Sequence, residues 1–523
     1  MDQQWNYESR ETVKHFPLKA TQTVVEAESA LTGGLRDECR IYYAGANAYI
    51  RTAEILGNRI NAEGRIHFRV LYAQGDLHKV LPLELDADFV QYLPLPLEYE
   101  ESAHSDVKVE CCVIQTKAHV QNGRIQLRAI LQLTGSIRNQ CNVNCVTVPN
   151  ETSLFQCLRE TVSTQHIVGE GEIQTTLKDE LELSDLLQIQ ETLLADAYAV
   201  VEDVKLVSAN TAYVTGSVLI DAYHTSSMPQ RPLIVSHHKV PFEQEISFGG
   251  KSSPIISAQT AVRDIAVVSS DNGKEEDSEK WMRCEVLLHT NIKTLEEDSL
   301  PFLRDAYTIS GQAFTCSSQQ MNFTKVFVRE EAAESGRLTL TLPANAAKSK
   351  QPLLAFLNPV LIQKRKSGSK LILEGTMQLQ IVYVPEDSDI PVTSEVELPF
   401  AAAFATNAVP DDHISLGISE ASVQSVTSER MEVKYILHMS AEGEHVHSLT
   451  AVTDIETANN VHTKQHTGIS LRYVQPQETV WDIGKQFHIP IETLKTDNHL
   501  NDDRLPVGSA LVICNTIKQE EYT

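Results

Sequence analysis

Apolar and polar residues alternate with a period of two over most of the first 455 positions, and the alternating runs recur in a fixed order. Gly64 is followed by Ile66, Phe68, Val70 and Tyr72, Gly216 by Val218, Ile220 and Tyr223, and Gly375 by Met377, Leu379, Ile381 and Tyr383. Alternation that starts after a turn-forming residue predicts a half-buried strand. The middle run reaches its Tyr one residue early, which a β-bulge or a slip in aligning the three runs would equally produce. A second strand follows each time, at Leu127–Leu131, Cys284–Leu288 and Val433–Leu437, with Ile130, Leu287 and Ile436 expected inward and Arg128, Glu285 and Lys434 expected at solvent. Between the two strands lies a third shared piece, Val240-Pro241-Phe242 and Leu398-Pro399-Phe400, with Asp88-Phe89 as the poorer counterpart.

A period of about 150 residues, seen three times, predicts three mainly β repeat domains over 1–150, 151–325 and 326–455. Short helical passages such as Leu183–Ala195 are expected within them, and the polar run 271–280 reads as a solvated hairpin loop. The alternation then stops. Asn459, Asn460, His462, Lys464 and His466 mark a polar linker, placed at 456–469. Residues 470–515 predict a small α+β unit of βααβ order: a strand at Leu471–Val474, helices at Val480–Phe487 and near Glu492–Asn498, and a strand at Ala510–Ile513. Thr479 is placed to N-cap the first helix with Asp482 three residues on, while Val480, Ile483 and Phe487 share one helical face.

Charge narrows the classes of partner. With 44 basic against 70 acidic side chains the 523-residue chain carries a formal net charge of −26. No basic cluster offsets it, which argues against nucleic acid or anionic membrane as a charge-held ligand. The first eight residues lack a basic segment followed by an apolar run, and no apolar stretch is long enough to span a bilayer. Neither export nor a transmembrane segment is therefore expected. The nine cysteines, none in C-x-x-C spacing, fit reduced thiols in a cytosol.

Catalytic chemistry finds no foothold. Phe248-Gly249-Gly250-Lys251-Ser252-Ser253 ends like a phosphate-binding loop, but Glu245 stands where a glycine is needed and Pro254 blocks the following helix. His237-His238, His445 with His447, and His462 with His466 are pairs without a converging third ligand. Nothing basic lies beside Cys141 and Cys145 to activate a thiolate, and no G-x-S-x-G turn occurs. The chain reads as noncatalytic, with no metal or cofactor.

The stretch Tyr473-Val474, Glu478-Thr479-Val480-Trp481-Asp482-Ile483-Gly484, Phe487, Ile489, Leu494, Asn498, Leu505-Pro506-Val507-Gly508 and Leu511-Val512-Ile513 resembles a LysM domain. The family usually has Gly-Asp before the Thr, where this chain has Gln477-Glu478. The resemblance implies a groove for N-acetylglucosamine polymers such as peptidoglycan, formed by the loop before the first helix and the loop after the second. By position it would draw on Gln477, Glu478, Thr479, Val480, Asn498, His499 and Leu500, with Trp481 beside it either as an exposed anchor for a protein or as core. The three preceding repeats are similar to SPOCS repeats, and the whole layout resembles the SipL-like family of spore-coat morphogenetic proteins of clostridial bacteria. That resemblance implies a scaffold in the mother-cell cytoplasm, at the forespore surface. It would recruit the coat-basement ATPase SpoIVA through the LysM domain and meet other coat proteins.

Overall fold

In the computed structural model, residues 5–31, 39–74, 79–102, 104–147, 155–270, 281–309, 312–462, 468–500 and 505–515 are described. The period-two alternation becomes antiparallel strands throughout. The first stretch holds β1 (Asn6–Pro17), β2 (Thr21–Ala30), β3 (Cys39–Leu56), β4 (Arg59–Gln74), β5 (Lys79–Pro94), β6 (His104–Gln121) and β7 (Arg124–Thr147). The second holds β8 (Phe155–Glu182), β9 (Ile189–Ser208), β10 (Thr211–Ser226), β11 (Leu233–Ser247), the short β12 (Gly249–Gly250), β13 (Ile255–Ser270) and β14 (Trp281–Thr308). The third holds β15 (Gln312–Thr341), β16 (Ser349–Ser367), β17 (Lys370–Pro385), β18 (Val392–Ala405), β19 (His413–Ser425) and β20 (Arg430–His462).

One topology is used in all three stretches. A three-stranded meander, β3-β4-β5, β9-β10-β11 or β16-β17-β18, faces a second sheet in which the last long strand pairs with both the first strand and the strand before it. In the first stretch, the opening strand is split into β1 and β2, which share β7. The two sheets of each stretch close over one apolar core, so each is a β-sandwich. The Gly and Phe seen in the sequence meet across the meander: Gly64 pairs with Phe89, Gly216 with Phe242 and Gly375 with Phe400. On the other side of each glycine the preceding strand carries one extra residue, Arg51, Glu202 or Ile362. The bulged backbone and the Phe ring crowd the same point, where a Cβ on Gly216 would stand 2.6 Å from the Phe242 ring.

The three sandwiches meet around a common axis. The outward faces of the meanders share a cluster built from Tyr42, Tyr43 and Leu71, from Leu193, Leu194 and Tyr223, and from Leu353, Leu354, Phe356 and Val382. The paired long strands then run on past the sandwiches as three ribbons. Their inward residues, among them Cys145, Val162, Phe302, Met321, Phe323 and Leu449, form a further shared cluster. Carboxylates of β20 bind the units together. Glu442 accepts from Lys108 at 2.6 Å and Arg329 at 3.0 Å, and Glu444 accepts from Arg138 at 2.8 Å. Burial pushes both carboxyls up, but the surrounding cations and hydrogen bonds outweigh it and hold each at about 2.

Several expectations change. Leu183–Ala195 is not helical: one 3-10 turn, Asp185–Leu187, leads straight into β9, because the β-branched and apolar residues that follow are taken up by the meander. The boundary expected at 325/326 falls inside β15, and β20 continues into the expected linker as far as His462. The 150/151 boundary and the run 271–280 lie outside the described residues. Ile130, Leu287 and Ile436 point away from the cores; Leu127, Ala129 and Leu131, Cys284, Val286 and Leu288, and Val433, Tyr435 and Leu437 line them. The early Tyr of the middle run is not a bulge peculiar to that copy, since all three meanders shift register at this point. Tyr72 and Tyr383 face their cores, whereas Tyr223 faces the central axis and His224 takes the core position, fully buried between Thr192 and Ser236.

Among the described residues no helix is long and apolar enough to cross a membrane. The last unit comprises β21 (Gly468–Tyr473), α1 (Val480–Phe487), α2 (Ile491–Asp497) and β22 (Ala510–Asn515), in the βααβ order expected.

Candidate functional site

The last unit is held by its own small core of Val474, Val480, Ile483, Ile489, Leu494, Leu511 and Ile513. Thr479 begins α1 with a capping box: its hydroxyl accepts from Asp482 N at 3.2 Å, and the Asp482 carboxylate accepts from Thr479 N at 2.9 Å. His488 closes the helix in the left-handed region, and its turn brings Ile489 N within 3.0 Å of Gly484 O.

Two loops flank the expected groove. In the first, Gln477 takes φ 68°, the left-handed conformation that suits glycine, at a local cost of about 1 kcal/mol. Glu478 locks the loop by accepting from Gln475 N at 2.9 Å and from the Arg472 guanidinium. These two bonds hold its carboxyl below the usual range. In the second loop Asn498 donates to Leu494 O at 2.9 Å and Val512 O at 2.8 Å and accepts from Val512 N at 2.6 Å, tying α2 to β22. His499 follows in the left-handed region with its side chain exposed.

The eight residues singled out by sequence therefore separate. Val480 is core, and Glu478, Thr479 and Asn498 are engaged with neighbouring backbone. Leu500 is half-buried against the core, and Gln477 and His499 remain exposed at the rim. Val507, 64% exposed in the second loop, joins that rim.

Trp481 is neither a free anchor nor part of the unit's core. Its indole Nε1 donates to Asp305 Oδ2 at 2.9 Å, and its ring meets that of Tyr307 edge-on at 5.0 Å. One turn on, Lys485 Nζ lies 2.7 Å from both Asp305 oxygens. The Tyr307 hydroxyl donates to Ile489 O at 2.5 Å, and His488 Nδ1 bonds Thr308 O at 2.7 Å. A Cβ on Gly484 would stand 2.7 Å from that hydroxyl, so the approach also needs a glycine there. The unit is thus seated on the end of β14 by the Trp481, Lys485 and His488 side of α1, and the rim residues stay open. Asp305 and Tyr307 escaped sequence reasoning because 176 residues separate Trp481 from Asp305.

Elsewhere the thiols are set against activation: burial raises Cys145, Cys284 and Cys316 and takes Cys111 to about 12. Among the described residues no group of three His, Cys, Asp or Glu side chains is arranged to hold a metal ion. No curated protein and no solved structure matches the chain. The LysM family model matches residues 473–513, which run from the last residue of β21 through the capped helix and α2 into β22, and this chain therefore carries a LysM domain there.

Proposed function

We propose that this chain is a noncatalytic scaffold with its LysM domain as the recognition element, and that the groove between the two loops takes an N-acetylglucosamine polymer such as peptidoglycan. The observation that carries this reading is the seating of the domain: Trp481 and Lys485 hold it on β14 while Gln477, His499 and Val507 stay exposed. A platform of three sandwiches then presents one open rim in a fixed direction. An amide, an imidazole and an apolar side chain at that rim suit an uncharged sugar, in keeping with a chain of net charge −26 that offers no attraction to polyanions.

A second reading has one observation in its favour. Ile469, Leu471 and Tyr473 lie on one face of β21 at 80%, 59% and 59% exposure, an apolar surface of the kind protein partners cover. On that reading the three sandwiches are SPOCS repeats and the protein works in the mother-cell cytoplasm at the forespore surface. There it gathers coat proteins and recruits SpoIVA through the LysM domain. Titration of the full chain with N-acetylglucosamine oligomers and with purified SpoIVA tests both. Oligomer binding that falls in a Gln477→Ala/His499→Ala variant supports the groove. SpoIVA binding that falls in a Leu471→Ser/Tyr473→Ser variant, with no sugar bound, transfers the assignment to the second reading. Binding of neither ligand removes LysM recognition as the function.

A further inference from the structure

A cavity of about 280 Å³ opens on the axis where the three sandwiches meet. Equivalent positions of the three copies supply its wall. Five residues beyond Gly64, Gly216 and Gly375 stand Arg69, Asp221 and Gln380, and opposite them on the preceding strands stand Gly45, Asp196 and Phe356. The next pairs along contribute Asn47, Tyr198 and Asn358. All nine line the one cavity.

The layer above it shows what cohesion alone requires. Seven residues beyond the same glycines, Leu71, Tyr223 and Val382 fill the axis with apolar groups and close it. In the cavity layer the threefold repetition of position is kept but the chemistry differs at each copy, and charged and amide groups replace aliphatic ones. Arg69 is 5% exposed, and burying a guanidinium costs several kcal/mol unless it is paired. Two other hydrogen-bonding groups are left open. Tyr43 is 8% exposed and Tyr198 is held between Gly417 and His438, and neither hydroxyl has a hydrogen-bond partner among the described residues. Neither oxygen is sealed off from solvent, so each is free to bond a molecule in the cavity.

Both carboxylates in the wall are already engaged by protein groups. Arg69 pairs with Asp196 and donates to Ala195 O at 2.9 Å, while Asp221 bonds His237 Nδ1 at 2.7 Å and accepts from Glu420 N at 3.1 Å. What remains for a ligand is a set of hydroxyl and amide donors and acceptors, with no cation among the described residues of the wall left free to hold an anion, in a volume equal to about nine waters at ~30 Å³ each. From this cavity, built jointly by the three sandwiches and sharing no residue with the LysM rim, we infer a binding site for a small uncharged polyol of monosaccharide size.

Saturation-transfer NMR on the full chain tests the assignment, with glucose, galactose and myo-inositol as probes and glutamate and lysine as charged comparators. At least one neutral probe is expected to receive signal. A Tyr43→Phe/Tyr198→Phe variant, which keeps both rings, should bind it about tenfold more weakly through loss of two hydrogen bonds, with an unchanged melting temperature. His499→Ala, at the LysM rim, should leave that binding unchanged. Thr116→Val, at another part of the wall, serves as a second variant should the double variant not fold. Absence of transfer from every polyol overturns the site. So does binding of the charged comparators alone, or polyol binding that falls with His499→Ala and survives the cavity variants.

Discussion

Replacing Trp481 by Ala should free the LysM domain from the sandwich platform without unfolding it. The indole makes one hydrogen bond to a carboxylate and one edge-on aromatic contact across the junction. A hydrogen bond to a charged group contributes about 1.5–3 kcal/mol and an aromatic pair about 0.5–1.5 kcal/mol. Their joint loss of about 3 kcal/mol lowers the docking equilibrium on the order of 100-fold. Lys485 and Tyr307 keep their bonds to Asp305 and Ile489, so docking weakens rather than vanishing. The domain's own core does not include the indole, and α1 retains its capping box, so the fold of residues 473–513 should persist. Amide NMR linewidths distinguish the states, because a docked domain tumbles with the whole 58.2 kDa chain and a released one tumbles nearly alone. Sharp, dispersed signals from residues 473–513 are expected in the variant, against broad ones in the wild type. Collapse of those signals to random-coil positions would mean that Trp481 holds the domain's fold together. Signals as broad as in the wild type would mean that Lys485, Tyr307 and His488 keep the domain docked without the indole. Either result refutes the reasoning.

Acid should loosen the contacts between the sandwiches. Glu442 and Glu444 have folded pKa values of about 2, below the ~4.3 of an unfolded glutamate, so their stabilisation is complete above pH ~4.3 and is lost as pH falls through about 2. Thermal melts from pH 7 to pH 2 should show this fall, and Glu442→Gln should lower the pH 7 melting temperature and flatten the decline; a variant with an unaltered pH profile would contradict it. Gly216→Ala should cost about 1–3 kcal/mol by forcing Phe242 and the bulged strand apart, read as a lower urea midpoint, whereas Gly368→Ala meets no neighbour in the native turn and acts only through its φ of 60°. Val286→Asp should unfold the second sandwich by burying an unpaired carboxylate, while Leu287→Asp, one residue on and facing outward, should be tolerated in the same circular-dichroism melt. Equal sensitivity at the two positions would mean that both faces of β14 are packed.

Alternation made the strands legible, and the glycine and phenylalanine positions marked the same point in each copy because both are forced by one local crowding event in the meander. Which face of a strand is buried was less accessible. On β7, β14 and β20 the outward positions carry Ile130, Leu287 and Ile436, all half-buried, as well as charged residues. Hydropathy there records partial burial on both faces, so the alternation gives the parity of the strand without saying which parity is inside. The LysM domain was readable in more detail, with its caps, turns and core all within 45 residues and governed by local rules. Its surroundings were not. An indole on the outer side of α1 looks like a free anchor in the isolated segment, and it becomes a docking contact only when Asp305 and Tyr307 are brought to it by the pairing of β14 with β8. The axial cavity is hidden for the same reason at longer range. Arg69, Asp221 and Gln380 are unremarkable residues on three separate strands, and their convergence follows from the packing of whole sandwiches about one axis. A device that needs three copies of a fold to differ at one shared position leaves its trace in the comparison of the copies, five residues beyond each invariant-in-place glycine, rather than in any contiguous motif.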